Sequence, residues 1–312
     1  MLVAVKKEGK VVSIALMDAA TPVLNLSVAQ ALNDGGVLKT VTTPYGVSVS
    51  DTATNIFGDL KGLQSLFAGG NLKSVVVTDA VAQTKTISPE AIQINSGVLS
   101  ILAGNFTVMA SSTGGDESIL GGSANDIITW ASGHTYLRGG AGDDSVQGGS
   151  GFDDINGNMG NDTAHGNDGD DWVVGGKDND LLYGDAGFDI VYGNMGNDTV
   201  LGGDGNDWVR GGQGDDSVSG GAGDDWLWGD KGNDTISGGS GADKFHSLVG
   251  AGIDRVIDFN RAEGDQVILD GSPKYTLSQV GADTVIDMGN GDQMILVGVT
   301  YSTLSAGWIV GG

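Results

Sequence analysis

The 312-residue chain contains no cysteine and only three histidines, His134, His165 and His246. A disulfide framework, a thiolate metal site and a cysteine nucleophile are thereby excluded, and an imidazole-rich zinc site is disfavoured. Basic residues are scarce too, 15 against 40 acidic ones, for a formal net charge of −25. A surface of that sign repels nucleic acid and anionic lipid and attracts cations. Long apolar runs are missing: "VLSILAG" at 98–104 falls well short of the ~20 residues of a spanning helix, so no membrane insertion is expected. The N-terminus "MLVAVKKEGKVVSIALMDAA" makes a poor signal peptide. Its apolar stretch "VVSIALM" is short and Asp18 interrupts the cleavage region, so export would need another route.

Catalytic constellations are missing as well. There is no H-E-x-x-H, no histidine before His134, and no G-x-S-x-G elbow ahead of the repeat described below. Asp51 and Asp79 lie at the ends of expected elements, where capping explains them. No enzymatic activity is expected.

What the chain does contain is a register. From Gly121 to His246 the pattern G-G-x-G-x-D-x-U-x runs through 14 unbroken rows of nine. The sixth position reads Asp126, Thr135, Asp144, Asp153, Asp162, Asp171, Asp180, Asp189, Asp198, Asp207, Asp216, Asp225, Asp234 and Asp243. The eighth is apolar in every row, from Ile128 to Phe245. Positions 1 to 6 are rich in Gly, Asn and Asp, which favour tight turns, and positions 7 to 9 form a short strand with one inward side chain. Strand and turn repeated in this way wind into a parallel solenoid with two rows per coil. Seven coils at about 4.8 Å give a roll on the order of 34 Å long. Residues 121–246 hold 23 Asp, no Glu and five basic residues, so most of the net negative charge sits in the repeat. Oxygen donors with no sulfur and almost no nitrogen suit Ca²⁺ far better than zinc or copper.

This register resembles the RTX family of secreted bacterial proteins. The resemblance implies a mainly β fold: a calcium-bound parallel β-roll. It also implies that calcium lies between turns stacked one coil apart, held by turn carbonyls and the sixth-position carboxylates. Carried over, Asp144 pairs with Asp162, Asp153 with Asp171, and so on to Asp225 with Asp243. Asp126 with Asp144 makes a further pair, and roughly ten ions are expected in all. The row "WASGHTYLR" at 130–138 lacks the aspartate, and "GGKDNDLLY" has Asp178 where glycine is usual, a milder departure because Asp can enter the left-handed region. A self-repelling, glycine-rich chain of this kind is expected to fold only when calcium supplies the missing stability.

The expected organisation is an N-terminal α/β module at 1–115, the roll at 116–246, and a C-terminal β cap at 247–312. In the last segment "RVIDF", "QVILD", "DTVIDM" and "QMILVGV" read as antiparallel strands. Its resemblance to RTX C-terminal regions implies export by type I secretion machinery to the exterior or surface of a Gram-negative bacterium. In the N-terminal region, "MDAATPVLNLSVAQALNDGGVLKT" and "TDAVAQTKTISPEAIQINSGVLSI" align at an offset of 61, and "YGVSV" corresponds to "FTVMA". "SDTATNIFGDLKGLQSLFAGG" reads as a helix from a Ser/Asp cap to Gly69-Gly70, "LKSVVVTD" as a strand and "SPEAIQI" as a short helix. The region is similar to the "VSDTA"-type modules of large bacterial surface proteins.

Outward positions 7 and 9 split into unequal faces. One carries Tyr136, Trp172, Val174, Ile190, Tyr192, Trp208, Arg210, Trp226 and Trp228. The other is mostly small or polar. The aromatic stripe reads equally as a contact surface or as an internal stacking ladder. As a contact surface, Trp172, Tyr192, Trp208, Trp226 and Trp228 would serve self-association or glycan stacking. Two functions follow as expectations: a structural protein of the cell surface or matrix, like S-layer components of the RTX class, or a calcium-dependent adhesin.

Overall fold

The left-handed backbone that Gly, Asn and Asp tolerate recurs at two positions in all but one of the fully described rows, and this sets the architecture. The computed structural model describes residues 2–7, 10–16, 23–33, 46–68, 72–77, 83–86, 102–103, 106–110, 117–121, 125–130, 133–271 and 273–311. At position 4, Gly160, Gly169 and Gly187 have φ of 117°, 141° and 143°, and Asp178 adopts the same region at 73°. The departure at Asp178 is therefore accommodated. Position 2 is left-handed too, through Asn158, Asn167, Asp185, Asn194 and Asp230 at 72–82°.

The strands are longer than the sequence pattern suggests. Trp172–Lys177, Leu181–Ala186, Ile190–Met195, Thr199–Asp204, Trp208–Gln213, Ser217–Ala222 and Trp226–Lys231 each run six residues. Each takes positions 7–9 of one row and 1–3 of the next, so only positions 4–6 turn. Positive φ at position 2 does not interrupt pairing, because Asn158 still sits opposite Gly176 and Gly176 opposite Asn194.

Alternate strands build two parallel sheets, with partners 18 residues apart. In sheet I, Thr163, Leu181, Thr199, Ser217 and Thr235 stand in one column. In sheet II the corresponding column is Trp172, Ile190, Trp208, Trp226 and Lys244. The eighth-position side chains, Ile155, Ala164, Val173, Leu182 and their successors, are fully buried between the sheets. One apolar side chain per nine residues makes a thin core, at about 1.5–3 kcal/mol for each large one.

The roll does not end with the nonapeptide register. Arg255 pairs with Thr235 and Gln266 with Lys244, so Ile253–Val256 and Gln266–Leu269 continue the two sheets in parallel. This corrects the antiparallel reading of "RVIDF" and "QVILD". The connections at 248–252 and 257–265 are long enough to return the chain to the same end of the roll, which parallel pairing demands. Antiparallel pairing begins only with Thr276–Val280, Asp283–Gly289 and Asp292–Leu296. The last of these, with Ile309–Val310, covers the open sheet edges. Phe259 lies between Phe245 and Trp308, with ring centroids 5.9 and 6.3 Å away, and closes the core at sheet II.

The chain divides into two compact units, residues 1–111 with 120–127, and 112–119 with 128–312. In the first, Val23–Leu26, Gly46–Asp51, Leu72–Val77 and Leu102–Ala103 form a parallel sheet in that order. "YGVSV" and "FTVMA" both contribute strands, Gly46–Asp51 and Phe106–Ala110. The single helix expected after Asp51 is two, Ala53–Gly58 and Leu60–Ala68. Asp59 divides them: its N–H donates to the Ile56 carbonyl, while its own carbonyl accepts from Gly62 and Leu63. The cap of the first helix is Thr52, and Asp51 instead accepts the Val28 N–H, joining two helix starts. Ile56, Leu60 and Leu63 are buried, as are Val47, Val49 and Val75 of the sheet. Asp79, "SPEAIQI", Gly69-Gly70 and most of the aligned segments lie outside the described residues. Among those described, no helix is long and apolar enough to cross a membrane.

Candidate metal centre

Each sixth-position aspartate ends a turn and immediately precedes a strand, except Asp153, which is the first residue of its own strand. Asp126, Asp144, Asp162, Asp180, Asp198, Asp216 and Asp234 lead into sheet I along one edge of the roll. Asp153, Asp171, Asp189, Asp207, Asp225 and Asp243 lead into sheet II along the other. All thirteen are 0–4 % exposed. Aspartate is rarely buried to that degree unless paired.

Half of each carboxylate has a partner. In all ten pairs from Asp144–Asp162 to Asp225–Asp243, the earlier N–H donates to the later Oδ1 at 2.7–3.0 Å. The structure thus brings together the residues that the register places one coil apart. The other half is orphaned. Oδ2 of Asp162, Asp171, Asp180, Asp189, Asp198, Asp207, Asp216, Asp225, Asp234 and Asp243 is buried without a hydrogen-bond partner. A buried, unpaired carboxylate oxygen is costly, and ten in a row signal a missing counter-charge.

First-position glycines make room for it. A Cβ on Gly184 would stand 2.6 Å from Asp189 Oδ2 and 2.5 Å from the Gly202 carbonyl oxygen of the next coil. On Gly202 it would stand 2.6 Å from both Asp207 Oδ2 and the Gly220 oxygen. A carboxylate and a carbonyl therefore converge on a space that any side chain would fill. No three Asp, Glu, His or Cys side chains gather as a metal cluster among the described residues. A Ca²⁺ held here would rely on one or two carboxylates, with carbonyls completing an all-oxygen set.

Burial drives these carboxyl groups well above the ordinary aspartate range, and neighbouring carboxylates raise most of them further. Asp180 and Asp225 are pushed up to about 8. Asp162, Asp171, Asp189 and Asp216 reach about 7. Asp198, Asp207 and Asp243 reach about 6. A metal-free roll would hold these groups only partly ionised at neutral pH.

Thr135, in the row without aspartate, is fully buried at the sixth position, and its hydroxyl is left without a hydrogen-bond partner. Asp153 Oδ2 accepts the Gly149 N–H at 2.8 Å and its Oδ1 is the orphaned atom, so this carboxylate is turned differently from its successors.

A second ladder escaped the sequence reading. At position 5, the N–H of Asn161 donates to Asp143 Oδ1, and those of Asn179, Asn197, Asp215 and Asn233 each donate to the residue one coil earlier. This solvent-side ladder runs opposite in direction to the buried one, so adjacent coils are tied both ways. Its signal was the recurrence of Asn or Asp at position 5.

On sheet II, Trp172 and Trp208 are 43 % and 39 % exposed, whereas Tyr192, Trp226 and Trp228 are half-buried. Trp208 stacks on Trp226 at 5.7 Å and Trp228 on His246 at 4.1 Å. Arg210 lies 5.7 and 5.5 Å from the Tyr192 and Trp228 ring centroids and forms a bidentate pair with Asp230 at 2.6 and 2.8 Å. The stripe is a stacked ladder towards its C-terminal end and an open aromatic surface at Trp172 and Trp208.

A four-copy family profile of the RTX calcium-binding nonapeptide repeat matches residues 111–129, 131–164, 156–191, 165–200, 192–226, 201–236, 210–245 and 219–256. No curated protein matches the chain. Among solved structures, the extracellular lipase LipA of Serratia marcescens is similar at 17% identity and a TM-score of 0.34, over 77% of this chain and 45% of the lipase. The chain thus spans less than half the length of that enzyme. The AlgE6R3 subunit of the Azotobacter vinelandii mannuronan C5-epimerase is similar at 26% identity and a TM-score of 0.28, over 43% of this chain and 78% of the subunit.

Proposed function

On the premise that this chain carries RTX calcium-binding nonapeptide repeats, we propose that it is a secreted, non-enzymatic structural protein of the bacterial cell surface or matrix, folded by calcium and self-associating. In this reading 13 residues hold roughly ten ions: Asp126, Asp144, Asp153, Asp162, Asp171, Asp180, Asp189, Asp198, Asp207, Asp216, Asp225, Asp234 and Asp243. The ladder of buried, orphaned Oδ2 atoms carries the reading. Calcium-poor cytosol leaves the repeat unfolded and fit to pass the type I machinery, and calcium outside folds it. Residues 1–115 serve as a surface-protein-like module and 247–312 as cap and secretion signal.

Self-association is supported by the sign of the two faces. All five basic residues of the repeat, Arg138, Lys177, Arg210, Lys231 and Lys244, stand on sheet II with the exposed tryptophans. Asp154 and Asp230 on sheet II pair with Arg138 and Arg210, which leaves the lysines in excess there, whereas between 127 and 240 sheet I carries Asp168, Asp185 and Asp204 and no basic residue. Sheet II of one copy against sheet I of another is a heterologous contact, which extends into open arrays instead of closing. Electron microscopy in millimolar calcium tests it. Sheets or filaments are expected, lost in Trp172→Ser/Trp208→Ser and in chelator; dispersed particles at high concentration would overturn self-association.

The adhesin reading has its own support. Two hollows of about 440 and 490 Å³ adjoin on sheet II, the first lined by Tyr192, Asn194, Arg210 and Lys231, the second by Asn158, Lys177 and Met195. Aromatic, amide and cationic groups together suit a glycan. A tryptophan fluorescence change with polysaccharide, lost in Trp208→Ser, would favour it.

A further inference from the structure

We infer that the metal ladder extends one site beyond the nonapeptide register, at Asp234 and Asp254, on the sheet I edge only. The inference rests on the reading of the buried carboxylates as calcium ligands. Asp254 lies in "GIDRV", eight residues past the last row and 20 residues after Asp234, so the spacing of 18 does not reveal it. The parallel pairing of Thr235 with Arg255 nonetheless sets Asp254 beside Asp234 as Asp234 sits beside Asp216.

The local geometry repeats that of the ladder. The Asp234 N–H points to Asp254 Oδ1 at 3.4 Å, and both residues are fully buried. Oδ2 of Asp234 and Oδ2 of Asp254 are each buried without a hydrogen-bond partner. Two sequestered carboxylates therefore share one turn edge, with one unsatisfied oxygen apiece. That arrangement calls for a cation between them, and an all-oxygen environment selects a hard divalent one.

The opposite edge differs. There Gln266 pairs with Lys244, and the Asp243 N–H donates to Asp265 Oδ1 at 3.1 Å. Asp265 Oδ2, however, accepts the Asn260 N–H at 2.7 Å, so no oxygen is left over. Asp258 is likewise consumed, by the Ser237 hydroxyl and the N–H groups of Gly238 and Gly239. Asp292 is held by the N–H groups of Gly250 and Gly252. Of the cap acids drawn towards the end of the roll, Asp254 alone keeps a buried oxygen free for a metal. Protein N–H groups close the sheet II edge, and a metal closes the sheet I edge, tying the cap to the last coil.

Native mass spectrometry, counting calcium ions per folded chain, tests this on the 312-residue chain. Asp254→Asn preserves shape and the acceptor for the Asp234 N–H but removes the charge. It is expected to carry one ion fewer than wild type, while Asp265→Asn keeps the full count. Asp254→Glu, which retains a carboxylate, is expected to keep more calcium than Asp254→Asn. An unchanged count in Asp254→Asn, an equal loss in Asp265→Asn, or an Asp254→Asn chain that fails to fold at any calcium concentration would overturn the inference. A wild-type chain that takes up no calcium would instead overturn the parent reading.

Discussion

Replacing Asp189 by asparagine should reverse the sign of its effect on stability as calcium rises. Asp189 Oδ1 accepts the Asp171 N–H at 2.8 Å, and its own N–H donates to Asp207 Oδ1 at 2.8 Å. Asparagine keeps both bonds, so the change isolates the charge. In the metal-free roll, burial and the neighbouring carboxylates raise this group from 3.8 to about 7. Holding it ionised above that pH costs on the order of 4 kcal/mol, a cost the neutral amide removes. With calcium, the carboxylate belongs to two stacked pairs, so two ions lose a ligand. Each site contributes RT ln(1 + [Ca]/Kd), or about 2 kcal/mol at roughly 30 times its Kd. Two lost sites then cancel the gain. Below that calcium level Asp189→Asn should be more stable than wild type, and above it less stable. Urea unfolding at pH 7.5 across a calcium series reads this directly. A variant equally destabilised at all calcium concentrations would show that the carboxylate has a structural role and carries no metal.

The raised carboxyl groups give a pH signature in chelator. Their folded-state values, about 6 to 8, exceed the ordinary aspartate value, so the folded form binds extra protons. Stability from this source is fully present below about pH 4 and lost as pH rises through about 6 to 8. Chelated protein should therefore gain β-structure on acidification from pH 8 to 4 by circular dichroism, and loss of structure there would contradict the assignment. Gly184→Ala places a methyl group within 2.6 Å of Asp189 Oδ2 and the Gly202 carbonyl without demanding a left-handed backbone. It should lower the calcium count and cost about 1–3 kcal/mol in calcium, read by mass spectrometry and thermal melting. Full calcium occupancy in this variant would show that the cradle lies elsewhere.

The roll was legible because its signals are local and repeated. An aspartate before each strand, a glycine beside each carboxylate and one apolar residue per row recur often enough to fix coil length and inward face. The pattern fixed period but not extent. Gly, Asn and Asp suggest turns wherever they stand, yet at positions 1 to 3 they lie in paired strands. The continuation through Ile253–Val256 and Gln266–Leu269 was misread because alternation marks a strand without marking its direction. Asp254 escaped for a related reason: the connection at 248–252 breaks the period while the sheet does not. The division of the N-terminal helix at Asp59 follows from Gly58, a poor helix former. The exposure of Trp172 and Trp208 depends on what packs over the sheet, which no row pattern encodes.

The most direct test of the account is far-UV circular dichroism of the whole chain at pH 7.5, in chelator and in millimolar calcium. The buried ladder predicts a largely disordered spectrum in chelator that turns to β in one steep calcium-dependent step. The same full β spectrum in chelator would mean that the orphaned carboxylates are tolerated without metal, and would contradict the claim that calcium folds this protein.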